Sequence, residues 1–350
     1  MSSSSLFASL AAAIHSLSTH RLSVKASAPS PKSSPILLEF ESDLASRIDH
    51  LKTADIGGYL SLKWLCQAME MVLSTHSSVE NFVPDLRNAL SHGDVKWLDE
   101  YLDNSIKLID ICLALKETIA EIKRYCVFVK LSLRALQDGC TDAKLTRCMI
   151  TLKKCVEFFR RKNDAFGQLG HRRFKLESCS SMLRRMSEKI NADDASKGGF
   201  FMLIHVALVS TIFICNLLSS VLSSKSKPST SSVCTFGQSP WCSTLISLQQ
   251  KVKEQIEKKK SGGANALLQE LDRTDIGVRN LYSRVEEVLR GKSLLDKKKR
   301  MLKIEESGKE LQLLLIDLQQ GLMPLEAHLD NVYRNLLRSR MVFLDMHTEL

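Results

Sequence analysis

The residues that come nearest to a known chemical motif are Arg290-Gly291-Lys292-Ser293, because Gly-Lys-Ser ends the phosphate-binding loop of many nucleotide-binding proteins. That loop needs a second glycine five residues before Gly291, and Glu286 stands there instead. The pattern around it predicts no β-strand, so the nest of backbone N–H groups that holds phosphate has no support. We therefore expect an exposed charged stretch here and no nucleotide site.

Metal and nucleophile patterns are missing from the sequence in the same way. The 9 histidines are isolated from one another, and neither His-Glu-x-x-His nor Gly-x-Ser-x-Gly occurs. The 10 cysteines are scattered without a Cys-x-x-Cys pair, and those on apolar faces, such as Cys66 and Cys112, suggest small core residues. The sequence thus predicts no catalytic residue, no cofactor site and no metal site, and the protein is not expected to be an enzyme.

The elements that would carry any site are helices from residue 36 onward. The clearest pattern alternates steps of three and four residues, which is a heptad seam that packs lengthwise against other helices. It runs through Leu98, Tyr101, Ser105, Leu108, Cys112, Leu115, Ile119 and Ile122. No segment has the pattern of a strand. The predicted fold is all-α, an elongated multi-helix bundle of long amphipathic helices with one central hydrophobic helix.

The breaks between periodic segments predict five regions. They are a Ser-rich tail or transit peptide at 1–35, an N-terminal helical bundle region at 36–197, a membrane-type helix at 198–222, a Ser/Pro linker at 223–240 and a C-terminal helical region at 241–350. Within the last region, one helix is expected to end near Gly321, and Pro324 is expected in the first turn of another.

Residues 198–222 contain no Asp, Glu, Lys or Arg. About 20 mostly apolar residues are enough to cross the hydrocarbon of a bilayer, so the segment predicts a single-pass transmembrane helix. The alternative is a core helix that is apolar on all sides because it is buried on all sides. If the two flanking regions pack together, the segment must be a core element or a re-entrant anchor.

Location and partners follow from charge and composition. The first acidic residue is Glu39, and the Ser- and Ala-rich stretch before it suits a chloroplast transit peptide or an ordinary disordered tail. The net charge of +10 is spread along the chain, which favours membrane lipid and other proteins as partners over nucleic acid. The oligomeric state stays open.

Two runs carry a family resemblance. They are LSLKWLCQAMEMVLSTHSSVENFVPDL from Leu60 to Leu86 and VKWLDEYLDNSIKLIDICLAL from Val95 to Leu115. The Trp and Ala-Met-Glu of the first run and the Trp-Leu-Asp-x-Tyr-Leu-Asp-x-Ser-x-Lys run of the second resemble the plant BYPASS family. The candidate family-motif or partner-face residues are Trp64, Trp97, Tyr101, Asp103, Lys107 and Asp110.

The resemblance implies a helical, non-enzymatic plant regulatory protein. Members of that family are linked to restraining a root-derived mobile signal that arrests shoot growth, and to root and shoot development. The main hypothesis is a membrane-associated interaction protein in the endomembrane system, the plasma membrane or the chloroplast. The alternative is a soluble plastid or cytosolic adaptor, linked to exocyst-type secretion, whose hydrophobic segment is a core helix.

Overall fold

The computed structural model of the protein describes residues 35–53, 58–82, 95–137, 141–160, 168–189, 200–222, 239–291 and 294–349. These residues form nine α-helices and no β-strand, which confirms the all-α prediction. The helices are α1 (Pro35–Thr53), α2 (Leu62–Glu80), α3 (Val95–Arg134), α4 (Asp142–Arg160), α5 (Gln168–Lys189), α6 (Phe200–Leu222), α7 (Pro240–Ser261), α8 (Gln269–Arg290) and α9 (Leu294–Glu349). The predicted tail and linker fall, except for their last residues, outside the described ranges.

The long helix α3 follows the predicted heptad seam. All eight residues of the seam, from Leu98 to Ile122, are buried. Because the seam is continuous, α3 extends without a break to Arg134.

The start of α2 shows why that helix begins at Leu62. Gly58 has a φ of +88°, a conformation that residues with a side chain rarely adopt, and it turns the chain just before the helix. Ser61 then caps the helix, its Oγ accepting a hydrogen bond from the Trp64 backbone N–H at 3.3 Å. The first turn is thereby fixed against the preceding segment.

The C-terminal helix α9 corrects the sequence analysis. One helix of 56 residues runs through both Gly321 and Pro324, where an end and a new start are expected. Gly321 lies against α2 so closely that an added Cβ would approach the Leu62 Cδ1 to 2.7 Å, so the glycine serves helix contact rather than termination. A proline inside a helix removes one hydrogen bond, and the buried seam on both sides of Pro324, including Leu322 and Leu325, stabilises the helix against that loss.

The two predicted helical regions pack on each other. From the C-terminal region, α9 lies against α2 and α3, α8 lies against α4, and α7 lies against α1. The apolar helix α6 contacts α2, α3 and α5. All nine helices belong to one compact unit, so the core is shared between residues from before and after α6.

Helix α6 is the one element among the described residues that is long and apolar enough to cross a membrane. Yet 89% of an 18-residue window of it is buried within the bundle. Its polar side chains also bond to neighbouring helices, with the His76 Nε2 at 2.8 Å from the Thr211 Oγ1 and the Ser180 Oγ at 2.8 Å from the Ser219 Oγ. This burial favours the core-helix alternative, because the packed positions are filled by protein side chains.

Candidate functional site

The six candidate residues divide into two groups according to the seam of α3. Trp64, Trp97 and Tyr101 are buried, whereas Asp103 and Asp110 are exposed. Lys107 is half-buried. The structure therefore does not bring all six together into one site.

Trp97 and Tyr101 belong to an aromatic cluster at the start of α3. The Trp97 ring centroid is 4.8 Å from that of Phe201 on α6, and the Tyr101 centroid is 4.4 Å from that of Phe343 on α9. The Trp97 and Tyr101 rings stack with centroids 5.9 Å apart. Aromatic pairs in such geometries add to the stability of burial, so the cluster fastens three helices to one another.

Trp64 lies in a different part of the core. Its side chain is fully buried, and its Nε1–H donates a hydrogen bond of 2.9 Å to the backbone carbonyl of Leu51 on α1. The Tyr59 ring meets it edge to face, with centroids 5.3 Å apart. Trp64 thus joins α1 to α2 and presents no surface to a partner.

Asp103, Lys107 and Asp110 lie on or beside the outer face of α3. The Lys107 ammonium pairs with the Asp103 carboxylate one turn away, and Asp110 lies one turn further along. An ion pair on a helix surface contributes little to stability, about 0.3–0.5 kcal/mol. These are the candidate residues that a partner could reach.

Helices α3 and α9 run antiparallel and are joined along their length by polar contacts. The Lys116 Nζ is 2.5 Å from the Asp330 Oδ1, and Lys123 pairs with Glu326. The Arg340 guanidinium donates hydrogen bonds to the Leu102 carbonyl and, at 3.0 Å, to the Ser105 Oγ. The sequence analysis missed Arg340, because no local spacing indicates which helix its side chain will meet.

Two small cavities adjoin the aromatic cluster. One has a volume of about 20 Å³ and is lined by residues that include His76, Tyr101, Ser105 and Phe343. Its neighbour, of about 30 Å³, lies between Trp97 and His205. Each has room for about one or two water molecules and none for a metabolite.

Two titratable groups that line the first cavity, His76 and Tyr101, are held in their neutral forms. Burial lowers the pKa of His76 from its usual 6.5 to about 4, so the imidazole is neutral near pH 7 and serves as a hydrogen-bond partner of Thr211. Burial likewise raises the pKa of the Tyr101 hydroxyl, which shares a hydrogen bond with Ser339. Neither group is poised to exchange a proton near neutral pH.

The described cysteines lie in the core, as predicted from their apolar surroundings. All eight are buried: Cys66, Cys112, Cys126, Cys148, Cys155, Cys179, Cys215 and Cys242. Burial raises the pKa of Cys126 and of Cys155 to about 12. Thiols of that kind are protonated and poor nucleophiles.

The remaining candidate sites are those for a metal ion and for the phosphate of a nucleotide. Within the described ranges, no group of three or more His, Cys, Asp or Glu side chains is arranged to hold a metal ion. Gly291 follows the last turn of α8, and its backbone N–H bonds to the Glu287 carbonyl at 3.0 Å. Lys292 and Ser293 lie outside the described residues.

Comparison with known proteins gives matches over most of the chain. The family model described as Protein BPS1 matches residues 71–346. A relative from Arabidopsis thaliana, named Protein BPS1, chloroplastic, is 25% identical over 270 residues, which cover 76% of this chain and 74% of the relative. The UPF0496 protein 4 of Oryza sativa subsp. japonica is 27% identical over 262 residues, which cover 72% of this chain and 55% of that longer protein.

A more distant match covers more of the sequence. Protein ROH1D of Arabidopsis thaliana is 20% identical over 351 aligned residues, which cover 88% of this chain and 87% of the relative. No solved structure matches the chain significantly.

Proposed function

The chain belongs to the family of Protein BPS1, and from this membership we propose that it is a non-enzymatic plant regulatory protein that restrains a root-derived mobile signal and thereby affects shoot and root development. The match over residues 71–346 is the observation that carries the proposal. The protein would act by contacts between helical faces. The outer face of α3, with Asp103 and Asp110, is the part of the family-like run that is open to a partner.

Grafting tests the developmental role. Wild-type shoots grafted onto roots that lack this protein are expected to arrest, because the unrestrained signal would move upward from the root. The reciprocal graft is expected to grow normally. Normal growth of both grafts would contradict the proposed role.

The same assay tests the absence of chemistry. Lys292 is the one residue that a nucleotide site would recruit. Because the proposed function uses no nucleotide, expression of the Lys292→Ala variant in the root is expected to restore shoot growth as well as the unchanged protein does. Failure of this variant alone, with normal protein levels, would favour a nucleotide-dependent activity.

For location, we propose the chloroplast, with α6 as a core helix of a bundle that does not span a membrane. Support comes from the absence of acidic residues before Glu39, from the word chloroplastic in the name of the Arabidopsis relative, and from the burial of α6. The alternative is a membrane protein anchored by α6, which the length and apolar composition of this helix support.

Fractionation separates the two. Chloroplasts that have imported the protein are expected to contain it in a shortened form that a carbonate wash extracts from their membranes. Retention in the pellet after that wash would favour the anchored alternative. A full-length protein that stays outside the chloroplast would contradict the proposed location.

A further inference from the structure

The outer face of α3 carries a second apolar stripe, on the side turned away from the core. Ile106, Leu113, Ala120 and Val127 recur at intervals of seven residues and are all exposed. The exposed fractions of the three large side chains are 44%, 42% and 51%. A helix with apolar residues at this interval on a second, exposed face has the pattern of one that packs on two sides.

Helix α9 carries an equivalent stripe. Leu302, Ile316, Met323 and Leu337 are separated by seven or fourteen residues, so they share one line along the helix. Their exposed fractions are 62%, 40%, 67% and 38%. The same line also carries Lys309, which pairs with Glu305 on its own helix, and Asp330, the partner of Lys116.

The ion pairs between α3 and α9 place the two stripes beside each other. Lys116 and Lys123 follow Leu113 and Ala120 by three residues, which puts both ammonium groups on the flank of the stripe of α3. Their partners Asp330 and Glu326 lie on or beside the stripe of α9. The stripes therefore form one apolar face on the antiparallel pair of helices, here called the two-helix face.

Charge on α3 indicates what covers this face. The exposed charged residues of the first half are mostly acidic, with Asp99, Glu100, Asp103 and Asp110 against Lys96. Those of the second half are basic, with Arg124, Lys130 and Arg134. An identical helix laid antiparallel brings each acidic half against a basic half, whereas a parallel one would place like charges together. The surface is thus complementary to itself in the antiparallel direction.

We propose that the two-helix face binds the same face of a second copy of this chain, forming a dimer with two-fold symmetry. The axis passes α3 near Lys116, so that Ile106 lies opposite Val127 of the second copy and Leu113 lies opposite Ala120. Asp110 then lies across from Arg124 of the second copy. In a two-fold interface every such contact occurs twice.

The geometry of α9 supports the same axis independently. Because Lys116 is level with Asp330, an axis that passes α3 near Lys116 meets α9 near Asp330. Met323 and Leu337 are each seven residues from Asp330, in opposite directions, so the rotation places them opposite each other. One rotation therefore matches apolar residues on both helices, which an unrelated partner would not require. The inference does not depend on the proposed regulatory role.

Light scattering on the purified full chain tests the dimer. At micromolar concentration the unchanged protein is expected to have the mass of two copies. Leu113→Lys and Met323→Lys are each expected to weaken dimerisation by roughly tenfold or more, because each places a charge in the centre of an apolar interface. Both sites are exposed, so the helical circular dichroism is expected to persist.

The matched control is Ile246→Lys. Ile246 is 49% exposed and lies on α7, which packs mainly against α1, so this variant is expected to dimerise like the unchanged protein. A monomeric unchanged protein would overturn the proposal. Dimers that survive Leu113→Lys, or that Ile246→Lys disrupts equally, would also overturn it.

A charge exchange tests the antiparallel register. Asp110→Arg and Arg124→Asp are each expected to weaken the dimer, and the double variant is expected to recover most of the affinity because the pair is re-formed with its signs reversed. Arg124 also pairs with Glu121 of its own chain at 3.2 Å, which the double variant does not restore. A double variant as weak as the sum of the two single variants would overturn the antiparallel arrangement.

Discussion

Replacing Val209 with arginine is expected to unfold the bundle. Val209 lies on α6 with no exposed surface, within the shared apolar core. An unpaired buried charge costs several kcal/mol, and domains are stable by only about 5–15 kcal/mol in total. Loss of helical circular dichroism, or a urea midpoint too low to measure, is the expected result.

An exposed position provides the control for Val209. Ile276→Arg, on α8, is expected to change the free energy of unfolding by about 0.5 kcal/mol or less, since Ile276 is 51% exposed. If α6 were instead a membrane anchor, Val209→Arg would release a folded protein from the membrane. A soluble and fully folded Val209→Arg variant would therefore refute the core position of α6.

The second large effect is expected at the seam of α3. Leu108→Ala is expected to lower the free energy of unfolding by about 2–5 kcal/mol, because Leu108 is fully buried and its truncation leaves a cavity. The measurement is urea denaturation, with a lower midpoint and an unchanged dependence of the free energy on urea.

Lys107→Ala is the neighbouring control. Its ammonium makes a surface pair with Asp103, and we expect a change of about 0.5 kcal/mol or less. Equal shifts for Leu108→Ala and Lys107→Ala would mean that the seam is assigned to the wrong side of α3.

Local periodicity was enough to predict most of the helices and the inner side of α3. The spacing of Tyr101, Ser105 and Leu108 already separates the buried side from the side of Asp103 and Asp110, because residues three and four apart share a helix face. The same spacing places Tyr101 inside, so the burial of this candidate could be predicted from the seam alone. The burial of Trp64 and Trp97 depends on which helices pack against them, and the sequence carries no local signal for that.

Tertiary contacts explain where the local signals of the sequence were wrong and where they were ambiguous. Gly321 and Pro324 are local signals for helix ends, and in α9 they are overridden by the buried seam and by the approach of Leu62. The apolar segment is ambiguous because a bilayer and a protein core select the same residues. Its neighbours on α2, α3 and α5 bury most of the segment within the protein, and no local signal in the sequence indicates that these three earlier helices will pack on it.

The length of α9 also bears on how the protein is made. Its 56 residues reach about 84 Å at 1.5 Å per residue, and it follows the other described helices in the chain while covering α2, α3 and α8. At roughly 5–20 residues per second, its translation alone takes about 3–11 s. Throughout that time the apolar seams of the earlier helices are without their cover, so the nascent chain is expected to need a chaperone until α9 has left the ribosome.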